Sequence, residues 1–338
     1  MLKMLSFLAS SAAVALLAAA GPAAAQSVPP ASAAEVRDWR LGEVPMPKDN
    51  VSTPARVELG RTLFFDPRLS GAGAMSCASC HEPSLGWTDG RKTSVVGSDV
   101  MGRASPTIVN LGYNTLFTWD GRKKTLEEHA VGPHKHLSTP DFKAAAERIG
   151  KIGGYQKMFA SAYPGEPIEV ETIAKAMAAF QRTVVSGDSP FDRWLAGDTK
   201  ALTPQQYRGY TLFVDPGKGN CAACHRGANF TDNGFHNIGL KTADPGRFAF
   251  LKLASMKGAF KTPTLREIEM TAPYFHDGSA TTLREVVDFY ARGGDDRSNV
   301  SGDVKKLDLT EQDKDDLVAF LRSLTGRFVA VVRPVLPQ

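Results

Sequence analysis

The stretch Cys77-Ala78-Ser79-Cys80-His81 returns later in the chain as Cys221-Ala222-Ala223-Cys224-His225, and the two stretches use all 4 cysteines of the 338 residues. Cys-x-x-Cys-His is the attachment signature of c-type haem. The cysteines form thioethers to the porphyrin, and the histidine ligates its iron. A zinc site normally takes a second cysteine pair nearby, and a redox dithiol does not require the adjacent histidine. We therefore expect two covalent haems, one held by Cys77, Cys80 and His81 and one held by Cys221, Cys224 and His225.

The first residues of the chain predict an export signal that covers residues 1–25. Lys3 supplies a positive charge, the stretch from Leu5 to Ala20 is apolar, and Ala23 to Ala25 offers small residues for cleavage. The apolar stretch is short, which favours removal over an uncleaved membrane anchor. We expect a periplasmic protein with no membrane anchor after the signal is removed. Bacteria attach covalent haem outside the cytoplasm, which agrees with export.

The charge pattern argues against a nucleic-acid partner. The formal net charge is +4, and the 40 Lys and Arg residues are dispersed among 36 Asp and Glu residues. Nucleic-acid binding is usually marked by a basic stretch with interleaved aromatic residues, and this sequence contains none. The mild positive balance is therefore read as a solvated surface.

Several segments of the first half return in the second half in the same order. Residues 60–67 (GRTLFFDP) recur at 209–216 (GYTLFVDP), and residues 119–121 (WDG) recur at 276–278 (HDG). Repetition on both sides of each haem motif indicates two homologous haem domains. We place an N-terminal haem domain at 26–190 and a C-terminal haem domain at 191–338.

The hydrophobic periodicity predicts an all-α fold, mainly helical with long loops. The expected helices run from Ala55 to Phe65, from Ile168 to Val185, from Pro204 to Phe213, and onward from Leu309. Thr203 and Thr310 are the expected caps of the last two helices. Residues 186–203 form the expected linker, and its Phe191 and Trp194 indicate packing against a domain.

Eight short stretches carry a more specific pattern. They are residues 59–70, 76–81, 105–107, 113–114 and 119–122 in the first half, and residues 219–225, 261–266 and 271–278 in the second. These stretches resemble the bacterial di-haem cytochrome c peroxidase and MauG family, whose MauG branch oxidises a protein substrate. The resemblance implies two cytochrome-c-like helical domains with their haems near the interface. One haem would react with peroxide and the other would transfer electrons.

The resemblance also implies a sixth ligand for the second haem. In the family this ligand lies fourteen residues after the histidine that is His276 here, which leads to Tyr290. The peroxidases have Met at this point, and the MauG-like branch has Tyr. A phenolate oxygen favours ferric and higher oxidation states, whereas a Met thioether favours ferrous iron. The alternative is that Tyr290 is an aromatic core residue and that Met256 or Met270 is the ligand.

The first haem is expected to keep an open position. The internal repeat pairs Tyr290 with Pro133, which cannot ligate iron. The loop 93–103, where resting peroxidases of this family carry a blocking histidine, contains no histidine here and leaves Met101 as a weak candidate. An iron with an open face can bind peroxide. We therefore expect the haem of His81 to be the peroxide-reacting one.

The family places a Gln and a Glu above the open haem, and this chain departs from that pattern. The corresponding positions are His129 and Thr139. Peroxide cleavage needs a group that moves a proton between the two oxygens, and a histidine near its ordinary pKa can do so. The candidates are therefore His129, His134, His136 and Asp141. The alternative is that His134 or His136 ligates the iron and closes the site.

Two further features follow from the resemblance. The family places Trp119 between the haems, where its ring can carry an electron, and a buried interface aromatic is the structural alternative. The family also places calcium between the domains, held partly by backbone carbonyls that would be those of Thr271 and Pro273. Its side-chain amide ligand maps to Ala104, so the sequence leaves calcium open.

Together these features predict a di-haem oxidoreductase that uses hydrogen peroxide at the haem of His81 and relays electrons through the haem of His225. The tyrosine at 290 favours MauG-like oxidation of a protein substrate. The alternatives are a cytochrome c peroxidase with a small cytochrome or cupredoxin as electron donor, and a di-haem electron carrier without catalysis. A homodimer is left open by the sequence.

Overall fold

The structure, a computed structural model, describes residues 27–96, 99–132, 142–326 and 331–338. The α-helices are α1 (Ala33–Trp39), α2 (Pro54–Phe65), α3 (Leu126–Ala130), α4 (Phe142–Gly150), α5 (Gly153–Ala162), α6 (Val170–Gln181), α7 (Pro190–Leu195), α8 (Pro204–Val214), α9 (Phe248–Leu251), α10 (Leu283–Ala291) and α11 (Glu311–Arg322). The strands form two antiparallel pairs, β1 (Val95–Val96) with β2 (Asp99–Val100) and β3 (Phe235–His236) with β4 (Phe260–Lys261). The expectation of a mainly helical protein with long loops is confirmed at this level.

The predicted export signal at 1–25 lies outside the described residues. Within the described ranges, we find no helix with the length and apolar character needed to cross a membrane.

Threonine caps begin three helices, two of them at the predicted Thr203 and Thr310 and one at Thr53, which the sequence had not predicted as a cap. Thr53, Thr203 and Thr310 each accept a hydrogen bond from the backbone N–H three residues later, at the starts of α2, α8 and α11. Such a cap satisfies one of the free N–H groups of the first turn. Helix α6 is shorter than the expected Ile168 to Val185, because Glu169 is extended and the chain leaves the helix at Arg182.

The two halves repeat one pair of packed helices, α2 on α6 and α8 on α11. Gly60 of α2 lies so close to α6 that a Cβ there would overlap the carbonyl oxygen of Ala176. Gly209 of α8 stands in the same relation to Asp316 of α11. The repeated glycine therefore allows each helix pair to approach closely beside its haem motif.

The hydrophobic core of the second domain takes residues from outside the predicted 191–338. Phe191 and Trp194 of α7 are fully buried in it, which confirms that the linker packs against a domain. Val28 and Trp39 lie in the same core, although the sequence assigned them to the first domain. The physical reason is that α1 packs next to α7, so the start of the described chain crosses to the second domain.

The last residues of the chain, in turn, leave the second domain and pack against the first. Val331 packs against the core of the first domain, and Arg333 forms an ion pair of 2.7 Å with Glu82. The last carbonyl, of Gln338, accepts a hydrogen bond of 3.0 Å from the backbone N–H of Gly154. The two ends of the described chain thus tie each domain to the other.

Candidate haem and redox site

Each Cys-x-x-Cys-His motif folds into a single 3-10 turn. In the first, the N–H groups of Cys80 and His81 both donate to the carbonyl of Cys77, at 3.2 and 3.0 Å. The second motif makes the same two bonds to Cys221, at 3.3 and 2.9 Å. The cysteines are not paired in disulfides, and burial raises the pKa of the Cys77 and Cys221 thiols to about 12. Both turns therefore present neutral thiols beside a histidine.

A backbone carbonyl orients each of these histidines. His81 Nδ1 lies 3.1 Å from the carbonyl oxygen of Trp87, and His225 Nδ1 lies 3.0 Å from that of Phe230. Trp87 and Phe230 have φ values of 61° and 50°, a left-handed conformation that turns their carbonyls toward the ring. An Nδ1–H that donates to a carbonyl leaves Nε2 free to ligate a metal. Burial lowers the pKa of both histidines, so the rings are neutral.

Sequence reasoning missed Trp87 and Phe230, because a backbone carbonyl leaves no residue-type signature. A signal was available nonetheless. Both residues follow a haem histidine by five or six positions, within the repeated part of the chain.

Both histidines open onto one cavity between the domains. It has a volume of about 2190 Å³, including the part that opens to solvent, and its wall is mostly apolar. Covalent c-type haem needs two thiols, a neutral histidine and an apolar cleft. The chain provides the thiols and the histidine twice, and both sets open onto the one shared cavity. The residues therefore fit two haems, one held by the 77–81 turn and one by the 221–225 turn.

Tyr290 of α10 lies in the wall of this cavity, on the side of the second motif. Burial raises the pKa of its phenol above the ordinary value, and the neighbouring Cys224 and Cys221 add to this rise. Met256 and Met270 do not belong to the described cavity wall, and Met270 is exposed at the surface. Among the three candidate ligands of the second haem, the structure thus places Tyr290 beside the haem site.

Of the four candidates for proton transfer, the structure describes only His129. His129 of α3 is half-buried in the cavity wall near His81, and its Nδ1 is buried with no hydrogen-bond partner among the described residues. Burial lowers the pKa of His129 to about 3, so its ring is neutral at physiological pH. His134, His136 and Asp141 lie outside the described residues.

Trp119 lies in the cavity wall between the two haem motifs. Its Nε1–H donates to the carbonyl of Ala104 at 2.9 Å, and its own carbonyl accepts from Lys261 N–H at 2.8 Å. Its ring lies 6.4 Å from that of His276, which stacks on Phe260 at 3.6 Å. The internal repeat pairs Trp119 with His276, and the fold brings these two equivalent residues together in one wall.

An ion-pair cluster joins the domains beside this wall. Arg103 binds Asp120 of the first domain at 2.8 Å and Asp244 of the second at 2.6 Å. Burial would raise the pKa of both carboxyls, but the hydrogen bonds and charges around them together hold each pKa below its usual value. Arg103 donates to both, Thr118 and Arg122 also donate to Asp120, and the Gly246 N–H also donates to Asp244. Lys261 is a buried cation in the same wall, and burial lowers its pKa to about 8. Sequence reasoning missed these residues, since their partners lie far away in the chain.

The calcium expectation is not tested by this structure. Thr271 and Pro273 lie in the cavity wall, whereas Ala104 offers no side-chain oxygen and its carbonyl already accepts the bond from Trp119. Calcium stays a prediction.

Comparisons with known proteins cover nearly all of the described chain. The family model described as di-haem cytochrome c peroxidase matches residues 54–200, and the cytochrome c model matches residues 207–325. Methylamine utilization protein MauG of Methylorubrum extorquens is 43% identical over 316 residues, which are 90% of this chain and 88% of that protein. Cytochrome c551 peroxidase of Pseudomonas aeruginosa is 37% identical over 83% of this chain and 81% of that protein.

A solved structure agrees with these relatives. It is described as a MauG-like protein associated with microbial copper homeostasis and superposes with a TM-score of 0.79. It shares 35% sequence identity and covers 84% of this chain and 93% of its own. Motifs, cavity and relatives all agree, and the chain belongs to the di-haem cytochrome c peroxidase and MauG family, as an oxidoreductase with two c-type haems.

Proposed function

We propose that this protein is a periplasmic di-haem enzyme that reacts with hydrogen peroxide on the His81 side of the cavity and oxidises a protein substrate in the manner of MauG. The observation that carries the proposal is Tyr290, which lies in the cavity wall at the position where the peroxidases have Met. When bound, a c-type haem supplies an iron that changes oxidation state and, where its sixth position is open, takes up a small oxidant.

The role of Tyr290 is to hold the second haem in an oxidised state. Its phenol lies beside the Cys221–Cys224 turn on a helix that begins with a complete capping box, so the ring is fixed by a well-formed element. An anionic oxygen donor favours the higher oxidation states of iron. An enzyme that must withdraw electrons from a protein substrate gains from such a ligand more than from a thioether.

We assign the transfer of protons to residues that follow α3 in the chain. His129, with its pKa lowered to about 3, is a weak base at neutral pH. Proton transfer to and from peroxide is therefore assigned to His134, His136 or Asp141. Replacing His134 and His136 together should slow the reaction with peroxide while both haems stay bound. An unchanged rate would move this role to Asp141.

Trp119 is assigned to electron transfer between the two haem sites. It lies in the wall that both sites share, and its hydrogen bonds to Ala104 and Lys261 fix its ring across the domain interface. These contacts also suit a purely structural aromatic, so a Trp119→Phe variant should be judged by the rate of electron transfer between the haems and by stability. A slower transfer at equal stability supports the redox role.

A cytochrome c peroxidase with a small redox protein as donor is the second candidate, favoured by the 37% identity to a cytochrome c551 peroxidase. A di-haem electron carrier follows if His134 or His136 closes the first haem. Low-temperature EPR of the resting ferric protein separates these functions. One high-spin and one low-spin haem support catalysis, and two low-spin haems support the carrier.

The ligand test uses two tyrosines of the same cavity wall. Tyr290→Phe should change the optical spectrum of the second haem, because the oxygen donor is lost. Tyr274→Phe is the matched control, since this phenol also lies in the wall and is largely buried. Equal spectra for wild type and Tyr290→Phe would reject Tyr290 as ligand and, with it, the argument for a MauG-like role. Calcium and a homodimer remain separate predictions.

A further inference from the structure

Next to His225 the second domain contains a cluster of aromatic rings. The Phe230 carbonyl accepts the His225 Nδ1 hydrogen bond, and the Phe230 ring packs on Trp39 with centroids 5.0 Å apart. Phe213 lies in the cavity wall, and its ring is 6.3 Å from Trp39. A single ring, that of Phe230 or Phe213, thus separates Trp39 from the second haem site. Trp39 belongs to α1, the N-terminal helix that packs on the second domain.

From Trp39 a row of oxidisable rings leads to the surface. Tyr210 is 6.2 Å from Trp39 and 6.2 Å from Tyr207, measured between ring centroids. Trp194 touches both tyrosines, at 5.3 and 5.7 Å, and offers a parallel step. Tyr210 is 3% exposed, whereas Tyr207 is half-buried and reaches solvent. The row therefore runs from the interior to the protein surface.

The first domain lacks this arrangement in its described residues. Behind His81 the equivalent position is Trp87, and its ring contacts there are Phe64 and Phe180, at 5.8 and 6.0 Å. Phenylalanine is far harder to oxidise than tryptophan or tyrosine. Since the halves arose by duplication, a row of Trp and Tyr on one side only is a specific feature of the second domain.

We propose that Trp39, Tyr210 and Tyr207 form a relay that carries oxidising equivalents from the second haem site to the surface. This inference rests on the proposed function, which supplies hydrogen peroxide as the oxidant and a protein substrate as the reductant. In each event Tyr207 gives up one electron, which moves inward through Tyr210 and Trp39. Its phenolic O–H bond breaks, the proton leaves to the solvent that the half-buried ring reaches, and a neutral phenoxyl radical remains at the surface. One electron and one proton from the protein substrate then restore the phenol, so that a second event can use the second oxidising equivalent of the peroxide.

The test uses the holoprotein with both haems, hydrogen peroxide and no external electron donor. A nitroso spin trap captures the surface radical, and peptide mass spectrometry locates the adduct. We expect an adduct on Tyr207 in the wild type and its loss in Trp39→Phe. Tyr113→Phe is the matched control, because Tyr113 is also half-buried and lies outside the row, with its hydroxyl bonded to the Gly42 carbonyl. The adduct should persist in this control.

Peroxide consumption is measured in the same samples. If peroxide is consumed and Tyr207 carries no adduct, or carries the same adduct in Trp39→Phe, the relay is wrong and the proposed function stands. If peroxide is not consumed, the relay has no oxidant and both proposals fail. Should Trp39→Phe not retain haem, Tyr207→Phe decides, since its half-exposed ring can lose a hydroxyl without opening the core. A phenoxyl EPR signal with the same intensity and line shape in wild type and Tyr207→Phe would show that the radical does not form on Tyr207 and would overturn the relay.

Discussion

Arg103 holds the two domains together beside the cavity, and Arg103→Gln is expected to lower the free energy of unfolding by about 3–5 kcal/mol. Its guanidinium donates two hydrogen bonds to Asp244, at 2.6 and 2.8 Å, and one of 2.8 Å to Asp120. The side chains of Arg103, Asp120 and Asp244 are 22%, 6% and 19% exposed. The variant would leave two largely buried carboxylates without their shared cation, and this is the costly way to break a buried ion pair.

The pH dependence gives a second measure of the same contact. Both carboxyls have pKa values below their ordinary ones in the native protein, because burial is outweighed by their hydrogen bonds and neighbouring charges together, Arg103 among them. Their contribution is therefore present above the unfolded value of about 4 and is lost as the pH falls through the lower folded values. In Arg103→Gln each carboxyl loses the partner that both share, while burial and the other hydrogen bonds remain. Both pKa values should therefore rise, and the loss of stability toward low pH should shrink.

The assay is urea unfolding of the holoprotein at neutral and acidic pH. Arg122→Gln is the matched control, because Arg122 also binds Asp120, at 2.7 Å, but is 44% exposed. An exposed pair of this kind contributes about 0–1 kcal/mol. If Arg103→Gln lowers the free energy of unfolding no more than Arg122→Gln does at neutral pH, the Arg103 ion pairs do not hold the domains together and this reasoning is refuted.

Two further variants test the packing and the charges of the scaffold. Gly209→Ala should lower the free energy of unfolding by about 1–3 kcal/mol, because the added methyl group would overlap the Asp316 carbonyl oxygen between α8 and α11. The control is Gly153→Ala, whose added methyl group meets no atom within 4 Å and should leave the stability nearly unchanged. Equal thermal midpoints for the two variants would contradict the packing argument. Burial raises the pKa of Asp66, but hydrogen bonds from Arg68 and a neighbouring tyrosine outweigh it and keep the pKa below 3.8. The stability from Asp66 is therefore lost as the pH falls from about 5 through the folded pKa. Asp66→Asn should make urea midpoints less pH-dependent over that range, and an unchanged dependence would count against this account.

Local sequence signals predicted the elements that depend on neighbours in the chain. The Thr203 and Thr310 caps, the two haem turns and the burial of Phe191 and Trp194 are all present in the structure. A cap joins residues three apart, and a haem turn spans five residues, so the residue types in one short window suffice to predict each.

At the candidate site, the positions of some residues were predicted, but their protonation was not. Tyr290 and Trp119 were reached through the family resemblance, and the structure places both in the cavity wall. His129 was expected as a proton carrier near its ordinary pKa, but burial against the first haem site lowers its pKa to about 3. Burial is a property of the packed chain, and no local pattern around His129 indicates it.

The residue types alone determined that this chain binds two covalent haems through two histidines in a duplicated, mostly helical protein, because each of these features is written in a few consecutive residues. Only the tertiary structure decided that Trp39 enters the core of the second domain and that Arg103 reaches Asp244, 141 positions away. Such contacts arise when apolar surface is buried and charges are paired across distant segments. Their partners share no periodicity or spacing that a sequence could display.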